Sequence, residues 1–262
     1  MSTGQPAPVT KALSSSDPRS GFLVVEAALL MFAAGVGVES LYLNMLFFQL
    51  AIPSYEAGRL IEVMISIAGA VVWISSLLIV FGLWWLRGTL ASDVLFAGRI
   101  RRAWLCLIAG TVLSAGAVVM WFVVLSPGSA IIWPFLFLSQ NPEPVSVMTA
   151  RLLGTASGAL FLSGLALPAL ARSRGRNRRL VQTGFMLGVI AVAAEVPLAF
   201  IVGYAYNPPG SILTTTFPPW SWGILVDPLV VASALTLGWA YRGLAGARPE
   251  RRPIVDESSP SV

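Results

Sequence analysis

Runs of about 20 consecutive apolar residues recur along this chain, and that is the length a helix needs to cross roughly 30 Å of hydrocarbon. GVIAVAAEVPLAFIVGY, residues 188–204, is one of them. A single water-soluble core of 262 residues could not hide several helices that are apolar on every side. With 56% hydrophobic and 11% charged residues, nothing long and polar remains for a second domain. The expected fold is all-α: one polytopic integral membrane helix bundle occupying residues 21–242. Its six transmembrane helices fall at about 21–50, 60–86, 103–125, 149–171, 180–204 and 220–242. Residues 1–20 are rich in Ser and Pro and lack the charged-apolar-small order of a cleaved signal, so they read as a disordered cytoplasmic tail. Residues 243–262 have the same character.

The basic residues are unevenly spread. Arg87, Arg99, Arg101 and Arg102 lie between the second and third spans, five arginines crowd ARSRGRNRR at 171–179, and Arg242, Arg248, Arg251 and Arg252 follow the sixth. With six crossings all three clusters fall on one side, and the positive-inside rule then places both termini in the cytoplasm of a cell-membrane protein. The pI near 10.0 thus reports orientation. The expected partner is the lipid bilayer, joined by subunits of a membrane complex, and not nucleic acid. The longer outer connections, SPGSAIIWPFLFLSQNPEPVSV and YNPPGSILTTTFPPWSW, are rich in Pro and aromatics. Trp133, Trp220 and Trp222 suit a headgroup-level belt or a lid over the bundle.

Absent residues narrow the chemistry. No histidine occurs, which removes the usual axial ligand of b-type haem and the commonest protein ligand of zinc, copper and non-haem iron. One cysteine, Cys106, makes neither a disulfide nor a thiolate cluster, and Lys11 in the tail is the sole lysine, so no Schiff base forms inside the bundle. No metal site and no cofactor is expected. A quinone or a lipid remains as a molecule such a bundle could bind.

Acids inside the spans are the exception to this apolar pattern. They are Glu26, Glu39, Glu62, Glu195 and Asp227. At 1.5 Å per residue, Glu39, Glu195 and Asp227 lie roughly 16, 13 and 10 Å below the outer ends of their helices. Glu62 pairs with Arg59 three residues away and sits higher, as does Arg151, while Glu26 lies near the cytoplasmic end, within reach of headgroups. A carboxylate facing acyl chains costs a few kcal/mol or more, so these groups should face the bundle interior and be paired or protonated. Gly154 with Gly158, and Gly184 with Gly188, have the small-xxx-small spacing of close helix contacts and predict a tight hairpin of the fourth and fifth spans. Glu195 shares the face of Gly184 and Gly188, and Arg151 that of Gly154 and Gly158, so an Arg151 to Glu195 pair across the hairpin is expected.

Three stretches carry a family resemblance. FGLWWLRG at 81–88, RRAWLCLIAGTVLSAGAVVMWFVV at 101–124 and NPEPVSVMTARLLGTASGALFLSGLAL at 141–167 resemble, in order and character, parts of subunit I of the cytochrome bd quinol oxidases. The resemblance implies a respiratory setting. It also departs from the family, because Ala150 or Arg151 stands where the family has a haem-ligating histidine. What it implies is a shortened relative without that haem.

Two functional classes and a bland alternative follow. The first is a non-catalytic subunit or transport-type protein that handles protons or cations through an outward-facing acidic layer of Glu39, Glu62, Glu195 and Asp227, with Arg59 and Arg151 as ion-pair partners. The second is an intramembrane enzyme that acts on a lipid or isoprenoid by acid catalysis. The third is a structural scaffold. A transporter needs a polar path reaching both faces, an enzyme a closed apolar cavity with acids at one end, and a scaffold neither.

Overall fold

A computed structural model describes residues 18–47, 55–89, 94–125, 144–205 and 223–246. It contains six α-helices, α1 Pro18–Phe47, α2 Tyr55–Thr89, α3 Val94–Leu125, α4 Pro144–Arg172, α5 Gly175–Ala205 and α6 Gly223–Gly246, and no strand among the described residues. Five of them are long and apolar enough to cross a membrane. With large apolar side chains such as Ile74, Trp84, Leu105, Val112, Met186 and Trp239 exposed on its outer surface, the chain is a multi-pass membrane protein.

The helices outrun the apolar runs. Pro18–Ser20 and Gly243–Gly246, placed in the tails from composition, are helical. α3 begins at Val94, well before residue 103. A helix satisfies its own backbone, so it continues past the hydrocarbon until a breaker stops it, whereas hydropathy marks only the lipid-facing part. The α4–α5 turn shows such a stop: Gly175 takes φ +54°, a left-handed conformation that suits glycine. The aromatic outer connections with Trp133, Trp220 and Trp222 lie outside the described residues, as do the side chains of Arg59 and Glu62.

Each helix packs antiparallel on its sequence neighbour, and α6 returns to α1, so the six form a ring. Glycines set most of these approaches. Built side chains at Gly35 and Gly82 would strike Val72 and Val25 across α1 and α2, and at Gly164 would strike Leu107 across α3 and α4. Interhelical hydrogen bonds add to them, each ending on a backbone carbonyl. Ser157 Oγ donates to Gly110 O at 2.7 Å, Ser233 Oγ to Gly184 O at 2.7 Å, Asn177 Nδ2 to Ala240 O at 3.0 Å and Tyr241 OH to Leu165 O at 2.8 Å.

The glycine pairs act differently from the hairpin expected. Gly188 does receive Leu162 of α4, but it also meets Ser233 of α6. Gly184 packs on Leu237 of α6 and not on α4. A side chain built at Gly154 would meet nothing within 4 Å, and one at Gly158 only Val192 at 3.8 Å. Spacing identifies the small face of a helix without saying which neighbour covers it.

One end of the ring gathers cations. Exposed Arg19, Arg87, Arg99, Arg101, Arg102, Arg176, Arg178, Arg179 and Arg242 all sit there because successive helices alternate in direction. Tyr241, Phe22, Leu86, Ile100 and Val181 fill the interior at this end.

Candidate functional site

The opposite half of the ring is not filled. A cavity of about 490 Å³ follows the axis and is lined by all six helices. That volume lies within the range of pockets that hold drug-sized molecules. Its two ends differ chemically. Arg151, Glu195 and Asp227 stand at one end, and Leu29, Ile79, Phe161, Leu165 and Leu237 line the walls toward the arginine end.

Three helices build the charged end. Arg151 opens the apolar part of α4, and its Nη1 donates to Glu195 Oε2 of α5 at 3.5 Å, with the two side chains 21% and 29% exposed. The contact is single and not forked, so the guanidinium keeps donors for another acceptor. Asp227 of α6 accepts a hydrogen bond from Ser40 of α1 and interacts electrostatically with Arg151. Glu39 interacts with Asp227, and so does Glu195. Glu39, Glu195, Asp227 and Arg151 therefore form one connected group, in which Asp227 joins the α1 side to the α5 side. Glu39 does not line the cavity itself.

Prolines stand beside two of these acids. Pro197 follows Glu195 by two residues, and Pro228 follows Asp227 directly. A proline within a helix removes the bond to the carbonyl four residues back, which frees the carbonyls of Ala193 and Ile224 near the charged layer. The sequence signal for this arrangement is an acid followed within two residues by proline inside an apolar run.

Below the charged layer the wall is uncharged and mostly apolar. Ser76, Thr155, Ser157 and Ser233 line the cavity, but their hydroxyls donate to the backbone carbonyls of Val72, Arg151, Gly110 and Gly184. Each of these hydroxyls spends its proton on a carbonyl and keeps its acceptor lone pairs, but no charged group stands among them. Farther along, Tyr241 holds Leu165 O and is fully buried. No chain of charged side chains continues from the cavity to the arginine end among the described residues.

Glu26 stands apart from this site, near the arginine end, and it is buried against an arginine. Its side chain is only 11% exposed and lies 3.9 Å from Arg242 of α6, which is itself 72% exposed. Arginine reaches inward from solvent to the acid, so Glu26 has no need to reach the surface. Cys106 is a partly buried free thiol in α3. No group of His, Cys, Asp and Glu that could hold a metal ion occurs among the described residues.

Comparison with known protein families, with curated proteins and with solved structures finds no match to this chain.

Proposed function

We propose that this multi-pass protein takes the apolar part of an amphiphilic lipid or isoprenoid into its axial cavity and holds the polar end at the Arg151, Glu195 and Asp227 layer. The observation that carries this reading is the asymmetry of the cavity, charged at one end and apolar along its walls. Of the three classes set out above, the second shares with it an apolar cavity that has acids at one end. A proton or cation path would need ionisable groups continuing to the arginine end, and below the charged layer the cavity is lined by neutral side chains. A scaffold would have no reason to leave the axis unfilled, because empty apolar volume costs packing energy.

In this reading Arg151 anchors a polar or anionic headgroup, and Glu195 and Asp227 exchange a proton with the bound molecule. Two carboxyls share one guanidinium and a third, Glu39, stands near Asp227, so not all of them ionise together at little cost. A shared proton is thereby available beside the ligand's polar end. The working topology has six spans with both termini cytoplasmic, supported by the arginine clusters that gather at one end of the ring. A quinone has the same shape as the proposed ligand, and kinship with the quinol oxidases would direct the search toward it.

The test is purification from native membranes in mild detergent, followed by native mass spectrometry and lipid extraction. About one amphiphile per chain is expected, and Gly154→Trp should expel it, because the position opens on the cavity with nothing within 4 Å to resist the side chain. A cavity that returns only detergent from every preparation would overturn the proposal. Glu195→Gln and Asp227→Asn should keep the ligand but abolish its turnover, and unchanged turnover in both removes the acids from the chemistry.

A further inference from the structure

The ring is unevenly closed. α1 meets α2, α3 meets α4, α4 meets α5 and α5 meets α6 through glycines that admit a neighbouring side chain, and α6 is joined to α1 by Phe22 against Tyr241 and by Glu26 with Arg242. Between α2 and α3 the described residues touch far less than any other sequential pair. Those two helices meet near the arginine end, where the Arg87 guanidinium lies 5.3 Å over the Trp104 ring.

Helical phase shows what happens above that contact. Residues 7, 11 and 14 positions after Trp104 return to its face of α3, so Thr111, Ala115 and Val118 point toward α2 as Trp104 does. Ile100, one turn before Trp104, is 2% exposed, whereas Ala115 is exposed and Val118 is 44% exposed. The stripe is covered at its foot and bare higher up. Gly69 of α2, eighteen residues before Arg87 and so on its face, likewise meets nothing within 4 Å. Ser76 of α2 and Ser114 of α3, on either side of this gap, both line the axial cavity.

We infer that the gap between α2 and α3 is a lateral port, through which an alkyl or isoprenyl chain passes from the bilayer into the axial cavity. The inference rests on the ligand class proposed above and adds its source and route. An apolar chain is the occupant that fits, because the gap lies among lipid-facing side chains and leads to a wall that is mostly apolar and, below the Arg151, Glu195 and Asp227 layer, uncharged. A soluble substrate would have to cross the hydrocarbon to reach it. The Arg87 and Trp104 contact acts as the hinge end of the gap, and separation needs only to occur above it.

The experiment uses the full chain in nanodiscs that contain a phospholipid with a photoactivatable diazirine in its acyl chain. After irradiation, labelled peptides are mapped by mass spectrometry. Wild-type protein should carry label on the cavity wall, at Phe161 and Ile79, as well as on the outer surface. Ala115→Trp and Val118→Trp, two independent blocks on the α2-facing stripe, should each reduce the interior label by about tenfold, a change well outside ordinary surface effects. Ala109→Trp, exposed on a face of α3 turned away from this stripe, should leave it unchanged. Full interior labelling in both blocking variants overturns the port while the cavity reading stands. Label confined to the outer surface of the wild type overturns both, as does a dimer whose partner covers the gap and excludes the probe.

Discussion

At the residue scale, the pair Arg151 and Glu195 was legible before any coordinates. Glu195 lies seven residues after Gly188, which puts both on one helical face, and an acid inside a lipid-spanning run must find a partner or a proton. Ser40 and its bond to Asp227 were not legible, since a lone serine in an apolar helix usually bonds its own backbone. The pair should behave as a coupled unit. Arg151→Met is expected to lower stability by about 1–3 kcal/mol, less than for a fully buried pair because both side chains keep some access to solvent. Adding Glu195→Gln should recover part of that loss, read from the double-mutant cycle of thermal unfolding in detergent. Tyr241→Phe should cost about 1 kcal/mol by removing the bond to Leu165 O without opening a void. Tyr241→Ala should cost about 3–5 kcal/mol, because it also empties a fully buried site.

At the scale of elements, the helices themselves followed directly from the apolar runs, and their ends did not. Hydropathy located the lipid-facing part of α3 but missed the turns before residue 103, where Arg99, Arg101 and Arg102 continue the helix in an exposed setting. The four glycines of α4 and α5 separate two kinds of information. Their spacing was readable, yet Gly184 turned out to seat Leu237 of α6, because helical phase says nothing about which neighbour lies opposite. Substitution should distinguish them although the motifs look alike. Gly188→Ala places a methyl group 2.6 Å from Leu162, and it should destabilise by about 1–3 kcal/mol through overpacking. Gly154→Ala meets nothing, and it should be neutral or stabilise by about 0.5–1 kcal/mol through reduced backbone freedom in the unfolded chain. Unfolding midpoints of the two variants in one detergent decide the matter, and equal losses would contradict the packing described.

For the whole molecule, the arrangement of a ring around an open axis explains how so few polar residues can define a site. Each charged side chain is contributed by a different helix, and the axis is the one place where α4, α5 and α6 all present a face. The topology can be checked independently of the site. In a Cys106→Ala background, single cysteines introduced at Arg176 and at Arg248 should react with an impermeant thiol reagent only when the cytoplasmic face is exposed, and cysteines at Ser54 and Asn207 only from the other side. Labelling of Arg176 and Asn207 positions from one and the same side would break the six-span arrangement.

Helix content, membrane residence and the list of charges needing partners are properties of composition and period, and they are fixed by the cost of placing backbone or carboxylate groups in hydrocarbon. The open cavity, the weakly closed α2 and α3 seam and the burial of Glu26 against Arg242 depend on how six helices tilt and which faces meet. Those are set by side-chain fit across helices distant in sequence, for which a one-dimensional pattern carries no distance.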